Sequence, residues 1–387
     1  MTWVEDYTNA MMKSAPTPGA LLVRGEGCYV WDVDGKKYLD FLAGIAVNSL
    51  GHAHPVLVEA ISAQVASLVH ISNLFASPQQ IGLAQSLKRI TGAGEGGRVF
   101  FGNSGAEAIE AAIKLARRNK QHGTIIALEN SFHGRTTGSV SLTGKPALRE
   151  DFEPLLPQVL HIGSTIEALE AAMTHDIAAL VVEPIKGEAG VIPLPEGYLQ
   201  RARELCTQHG ALLIIDEIQT GAGRTGTWFA YQQAGIVPDA VAIAKGIGGG
   251  VPIGALVTFG AASDLFTKGQ HGSTFGGNPL ATGAAVAVIA EIERAGLIEN
   301  AAVRGPQIRA AVEGLPLVES TRGLGLLIGI VLEKPVASDV AATALQLGLI
   351  VNAANDSTLR IAPPLIIGDA EITEFVSLLT RALEAHA

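Results

Sequence analysis

The runs 211–221, ALLIIDEIQTG, and 240–250, AVAIAKGIGGG, decide the fold of this chain. Each is an unbroken apolar stretch that ends on a charged residue, Asp216 in the first and Lys245 in the second, and then enters a turn. Continuous apolar runs of this kind are what strands need when both faces of a parallel sheet are covered. A lysine at the end of such a strand loses hydration, which lowers its pKa and frees its amine to attack a carbonyl. A carboxylate on a nearby strand end can hold a pyridine nitrogen protonated. Lysine and carboxylate together are the protein's half of pyridoxal-phosphate chemistry.

Working outward, the runs RVFF, TIIALE, AALVVE and GALVTF repeat the pattern and alternate with helical patterns such as EAIEAAIKLARRNK and GYLQRARELCTQHG. The expected architecture is α/β, with a mostly parallel central sheet flanked by helices. Ligands of open sheets bind beyond the carboxyl ends of the strands, and nearly every polar cluster here directly follows a strand. The first stretch, LLVRGEGCYVWDVDGKKYLDF, instead reads as a hairpin, and the last hundred or so residues mix helices with isolated strands such as LGLLIGIVL. Segments 1–45 and 287–387 are therefore expected to form a smaller α+β domain built from both chain ends, and 46–286 the larger domain.

Composition narrows the partners. The chain has 387 residues, 48% hydrophobic and 17% charged, which describes a well-buried globular protein too long for one ordinary core. A formal net charge of -10 with no basic run argues against a nucleic-acid partner. The opening MTWVEDYTNA lacks a basic n-region, and the apolar stretch ATGAAVAVIA is too short to span a bilayer. Two cysteines, Cys28 and Cys206, read as free thiols in a reducing compartment, and a soluble cytoplasmic protein is the expectation.

Several segments carry candidate chemistry. Gly102, Asn103, Ser104, Gly105 and Ala106 lie between a strand and a helix, where free N–H groups and the helix dipole favour a phosphate, although an ordinary turn has the same pattern. Phe132 in SFHGRT could stack on a heteroaromatic ring or simply be core, and His133, Gly134 and Arg135 form a polar turn where a cation could meet a carboxylate. Arg360 stands alone in the apolar STLRIAPPL, where burial is costly unless its guanidinium meets an anion, from a substrate or from a structural ion pair.

Other matches are decoys. GAGRTG fits a dinucleotide-binding pattern but does not come directly off a strand, and LTGKPAL has Pro146 where a phosphate-binding loop needs Ser or Thr. His52 and His54 in GHAHP lack convincing further metal ligands, so no metal site is expected. Asp216 and Glu217 are adjacent and would point to opposite faces of a strand, which disfavours a joint acid/base pair.

At this point FLAGIAVNSLGHAHP, ISNLFAS, FFGNSGAEA, SFHGRTTGSVSLTG, VVEPIKGEAGV, IIDEIQTGAGRTG, AKGIGGGVPIGA, HGSTFGGNP and LRIAPPL, in that order, carry a family resemblance across almost the whole chain. The sequence resembles the class III, fold-type I pyridoxal-phosphate aminotransferases, most closely those acting on acetylornithine in arginine biosynthesis. It departs from them at Ile109, where NSGAEANE is common, and at Lys186, where EPIQGE is common.

The resemblance implies pyridoxal 5'-phosphate as cofactor, with Lys245 as the lysine that binds it and shuttles the substrate proton, and Asp216 as the partner of its pyridinium nitrogen. Phe132 would stack on the ring, Gln219 would lie near its phenolic oxygen, and Glu217 and Ile218 of the same motif would also bind the cofactor. Gly105 and Ala106 would hold the phosphate. Thr274 would join them from the neighbouring subunit of a homodimer with shared active sites, and Ser273 is a weaker candidate for substrate contact.

In the same pattern Arg360 holds the α-carboxylate of L-glutamate or 2-oxoglutarate and Arg135 the distal one. The implied donor is N2-acetyl-L-ornithine, which would place its own carboxylate on Arg135. Glu188 would then neutralise Arg360, and would swing away when glutamate binds. Succinylornithine, ornithine, 4-aminobutyrate and N-succinyl-diaminopimelate stay open as donors, as do a related racemase and a cofactor-free binding protein.

Overall fold

A computed structural model describes residues 2–387. Its centre is a seven-stranded sheet, numbered here β1 (Arg98–Gly102), β2 (Thr124–Leu128), β3 (Val159–Ile162), β4 (Ile177–Val182), β5 (Leu212–Asp216), β6 (Ala240–Ile243) and β7 (Gly254–Thr258). The spatial order is β1-β7-β6-β5-β4-β2-β3. All pairings are parallel except those of β7, which runs antiparallel to both β6 and β1.

Side chains of the inner strands alternate between two cores. Ile126, Leu128, Leu180, Val182, Leu213 and Ile215 pack on one face, and Ile125, Ala127, Ala179, Val181, Leu212 and Ile214 on the other. Period-two alternation with apolar residues on both faces is what made these strands read as unbroken apolar runs. Ile109 belongs to the second of these cores, fully buried on the helix Gly105–Asn119, so this departure from the family pattern is a packing residue.

The two chain ends share a third core. The opening segment forms three antiparallel strands, Leu22–Glu26, Tyr29–Asp32 and Lys37–Asp40, one strand more than a hairpin, and Leu349–Ile350 joins their edge. A second sheet holds Val318–Leu324, Leu327–Leu332, Asn352–Asn355 and Thr358–Ile361. Leu39, Phe41 and Leu50 pack with Ile328, Leu359, Phe375 and Leu379, and the rings of Phe41 and Phe375 stack at 4.2 Å. The helix Pro279–Arg294 serves two cores at once: Ala281, Ala285 and Ile289 face the central sheet, whereas Ala284, Val288 and Ile292 face the core of the chain ends.

The decoy segments have structural partners. Arg224 of GAGRTG is buried and donates to the carbonyls of Leu326 and Pro363, tying this turn to the segment that follows Arg360. With no carboxylate beside it, burial pushes its pKa down to about 9. His52 lies 2.8 Å from Asp40, and His54 lies 3.7 Å from Glu291. Cys28 and Cys206 are both buried and unpaired. Among the described residues no helix is long and apolar enough to cross a membrane.

Candidate active site

Because β1, β2, β4, β5 and β6 run parallel, their carboxyl ends open on one edge of the sheet, and antiparallel β7 starts there. A cavity of about 300 Å³ lies at that edge, lined by Asn103–Ala106 after β1, Phe132–Gly134 after β2, Glu183 after β4, Asp216, Ile218 and Gln219 at the end of β5, and Lys245 after β6.

Lys245 is half-buried and has a positive φ of 47°, a conformation that costs a non-glycine residue energy and is held by the surrounding fold. Burial lowers its pKa below that of an ordinary lysine, against the opposing pull of Asp216, Glu188 and Glu183. Among the described residues its Nζ has no hydrogen-bond partner, so the amine is free to react.

Asp216 is held on both oxygens. Its Oδ1 accepts from the Ile218 N–H at 3.0 Å, and its Oδ2 lies 2.7 Å from His133 Nδ1. Burial works against a charged imidazole, yet the hydrogen bond and charge of Asp216 prevail, and His133 is raised above the usual histidine range. His133 is in turn placed by its own backbone N–H, which donates to Thr143 Oγ1 at 3.0 Å.

Glu183 is buried with a single anchoring bond, from the Phe132 N–H at 2.9 Å. Burial, with the Asp216 charge adding to it, raises its pKa to about 7. Sequence reasoning gave no role to Glu183 and only a general one to His133. The available signal was position, since Glu183 directly follows β4 and His133 lies in the loop after β2, both strands that end at the cavity.

Glu217 faces the other way. Its carboxylate accepts from Thr220 Oγ1 at 2.5 Å and from the Tyr231 N–H at 2.8 Å, and it does not line the cavity. Complete burial pushes it up to about 7, so this member of the motif acts as a buried brace behind β5.

At the far end of the site, Arg360 is 1% exposed and forms an ion pair with Glu188. Its Nε donates to Asn352 Oδ1 at 3.0 Å, and its Nη1 also reaches Gln219 Oε1 at 3.3 Å. Burial opposes a charged Glu188, but the charge and hydrogen bond of Arg360 outweigh it and hold the carboxyl below the usual range. A Cβ on Gly187 would come within 2.0 Å of Gln219 Oε1, so a side chain there would displace the Gln219 amide from Arg360. Arg135 is exposed, with its guanidinium 5.6 Å from the centre of the Phe132 ring, and among the described residues it has no carboxylate partner.

Thr274 does not reach its own chain's cavity. It is exposed, whereas Ser273 Oγ lies 3.1 Å from Asn103 Nδ2 at the cavity margin. Lys186 is engaged elsewhere, its ammonium donating to Ser164 Oγ at 2.7 Å and to the Glu129 carbonyl at 3.2 Å.

These groups fit a phosphorylated pyridine aldehyde. Gly105 and Ala106 open the helix Gly105–Asn119, at positions whose N–H groups lack intrahelical acceptors, while Ser104 already caps Glu107. The lysine, the aspartate and the flat face of Phe132 line the same cavity. Fold and site together define a fold-type I pyridoxal-phosphate enzyme.

The family model for class-III aminotransferases matches residues 10–383. An acetylornithine aminotransferase from Mycobacterium leprae is 48% identical over 99% of this chain and 96% of its own length, and one from Streptomyces coelicolor is 47% identical with the same coverage. Among solved structures, the N-acetylornithine aminotransferase of Stenotrophomonas maltophilia is 35% identical with a TM-score of 0.85, over 99% of both chains. A Toxoplasma gondii ornithine aminotransferase, described with PLP at its active site, is 31% identical with a TM-score of 0.93, over 99% of this chain and 94% of that one. The chain belongs to the class-III aminotransferases, and it is a pyridoxal-phosphate-dependent transaminase.

The His133–Asp216 pair has a testable pH signature. Because His133 is raised in the folded protein, its stabilisation is fully present below the unfolded imidazole value and is lost as pH rises through the folded value. In cofactor-free protein, the difference in thermal midpoint between native and His133→Gln should be largest below the ordinary histidine pKa of about 6.5 and shrink as pH rises above it. A difference that grows with pH would contradict the pair.

Proposed function

We propose that this transaminase moves the terminal amino group of N2-acetyl-L-ornithine to 2-oxoglutarate, giving N-acetyl-L-glutamate 5-semialdehyde and L-glutamate, a step of arginine biosynthesis. The observation that carries this reading is the unequal state of the two arginines. Arg360 is buried and neutralised by Glu188, while Arg135 is exposed and free. A donor whose amine lies far from its carboxylate needs one cation, at Arg135, with Arg360 silenced. A dicarboxylate acceptor needs both cations, which requires Glu188 to release Arg360.

When bound, pyridoxal phosphate supplies an electrophilic carbonyl and an electron sink. The residues supply the rest. Gly105 and Ala106 offer backbone N–H groups to the phosphate, with Thr274 of a second subunit as the proposed third donor. Phe132 is the stacking face, and Asp216, braced by His133, is the partner for the pyridine nitrogen. Gln219 stands between the cofactor end and Arg360, and Ile218 lines the cavity wall. Lys245 Nζ, with its basicity lowered by burial, takes and returns the proton at the amine-bearing carbon of the substrate. Ser273 contributes at the cavity margin.

The working unit is proposed to be a homodimer with shared sites. Supporting this, Leu74 is 86% exposed, Phe75 69% and Phe275 60%, all on segments flanking Thr274, a concentration of apolar surface that water disfavours. The division into 46–286 and the joined ends 1–45 and 287–387 is likewise proposed, supported by the two-sided helix Pro279–Arg294. Two buried, unpaired cysteines support the cytoplasm as the compartment, and the net charge of -10 disfavours a nucleic-acid partner.

Three outcomes are expected. In single half-reactions, N-acetylornithine should discharge the cofactor's visible absorbance fastest at low concentration, and 2-oxoglutarate should restore it; a win for ornithine or 4-aminobutyrate would overturn the donor assignment. Glu188→Ala should slow the N-acetylornithine half-reaction far more than the glutamate one, by an amount reflecting an uncompensated buried guanidinium worth about 3–5 kcal/mol. Equal losses in both would sink the switch. Sedimentation should give twice the chain mass, and a monomer with full activity would contradict the shared site.

A further inference from the structure

Glu188 sits in a turn, Gly187–Gly190, whose backbone is tied down at three successive carbonyls. Lys145 Nζ donates to the Glu188 carbonyl at 2.6 Å, Asn355 Nδ2 to that of Ala189 at 3.0 Å, and Arg322 Nε to that of Gly190 at 2.8 Å. Gly190 has a φ of 105°, left-handed backbone that favours glycine, and the Asn355 amide and Arg322 guanidinium pack directly against it. With its backbone held from three parts of the chain, Glu188 can leave Arg360 only by rotating its side chain. The groups it can meet are those close to its own turn.

Of the cations at the turn besides Arg360, Arg322 is engaged by the Gly190 carbonyl and Thr358 Oγ1, and Lys145 is the one that touches Glu188 itself. It follows Gly144, where a Cβ would come within 2.0 Å of the Leu128 carbonyl oxygen, so its loop is packed tightly against the end of β2. Its ammonium is half-buried, attracted by Glu188 and Glu183 and repelled by Arg360 and Arg135, with burial lowering its pKa. One ammonium proton is used by the Glu188 carbonyl, which leaves two more donors for the carboxylate of the same residue. Sequence alone gave this lysine no use beyond a failed phosphate-loop match.

We propose that Lys145 is a positioning residue for the Glu188 switch: it anchors the turn and receives the Glu188 charge when a substrate carboxylate occupies Arg360. Lys145 thereby favours the dicarboxylate half of the reaction. The proposal rests on the switch described under the proposed function.

Glutarate has the two carboxylates of the acceptor and no amine or ketone, so its binding reads the switch without turnover. Calorimetric titration of the cofactor-loaded enzyme with glutarate would compare the native protein, Lys145→Met, Glu188→Ala and the double variant. Glu188→Ala should tighten glutarate binding by removing the competing anion. Lys145→Met should weaken it on the order of tenfold, as neighbouring charges couple, and Lys145→Arg should recover most of the loss. In the Glu188→Ala background the Lys145→Met effect should vanish. If it persists there, Lys145 touches the ligand or only supports the fold, and the proposal is overturned while the switch stands. If Glu188→Ala does not tighten glutarate binding, the switch itself fails and the proposal with it. Lys145→Gln serves as the neutral variant if Lys145→Met does not fold.

Discussion

A buried guanidinium without acceptors costs several kcal/mol, and whereas Arg224 is held by two backbone carbonyls, Arg360 is held by an anion, Glu188, at the edge of the cavity. Arg360 is delivered on the strand Thr358–Ile361, opposite Gly329 and Asn352, and reaches the edge of a different sheet. The Glu188 turn packs against that strand's own sheet closely enough that a Cβ on Gly329 would come within 2.8 Å of the Gly190 carbonyl. The arginine, its internal anion and the cavity are therefore brought together by contacts between the chain ends and the middle of the chain, and the substrate choice proposed for this site depends on that joint.

The cofactor end of the cavity obeys a related rule with the opposite sign. Asp216, Glu183 and the fully buried Glu217 crowd acids around the ends of β4 and β5, and desolvation raises the pKa of Glu183 and Glu217 to about 7. Asp216 has what they lack, a buried cation-capable partner at 2.7 Å in His133. The difference in partners separates one carboxylate fitted to hold a pyridine nitrogen from two that brace the scaffold. Lys245 then sits among these acids with its amine unbound and its basicity lowered by burial.

Much of this was legible in the sequence, for reasons that can be stated strand by strand. The five inner strands are covered on both sides and so appear as unbroken apolar runs, and the edge strand β1, RVFF, is apolar although only partly buried. The edge strand β3, VLHI, is half-exposed and carries a histidine, so it gave no such signal. The opposite facing of Asp216 and Glu217 followed from strand alternation, while the motif alone would place both at the cofactor. His133, Glu183 and Lys145 were harder, because their partners lie far away in sequence. His133 meets Asp216 across 83 residues and Lys145 meets Glu188 across 43, distances at which no local pattern operates. Lys186, conspicuous as a departure from the family, turns out to hold the end of β2 and the loop after β3.

The central claim is that Glu188 and a substrate carboxylate exchange places on Arg360. A crystal structure of the cofactor-loaded enzyme with glutarate bound tests it most directly. The expected result is a ligand carboxylate on Arg360, with the Glu188 side chain rotated away on an unmoved Gly187–Gly190 backbone. Glu188 still paired with Arg360, with glutarate held by other groups, would contradict it.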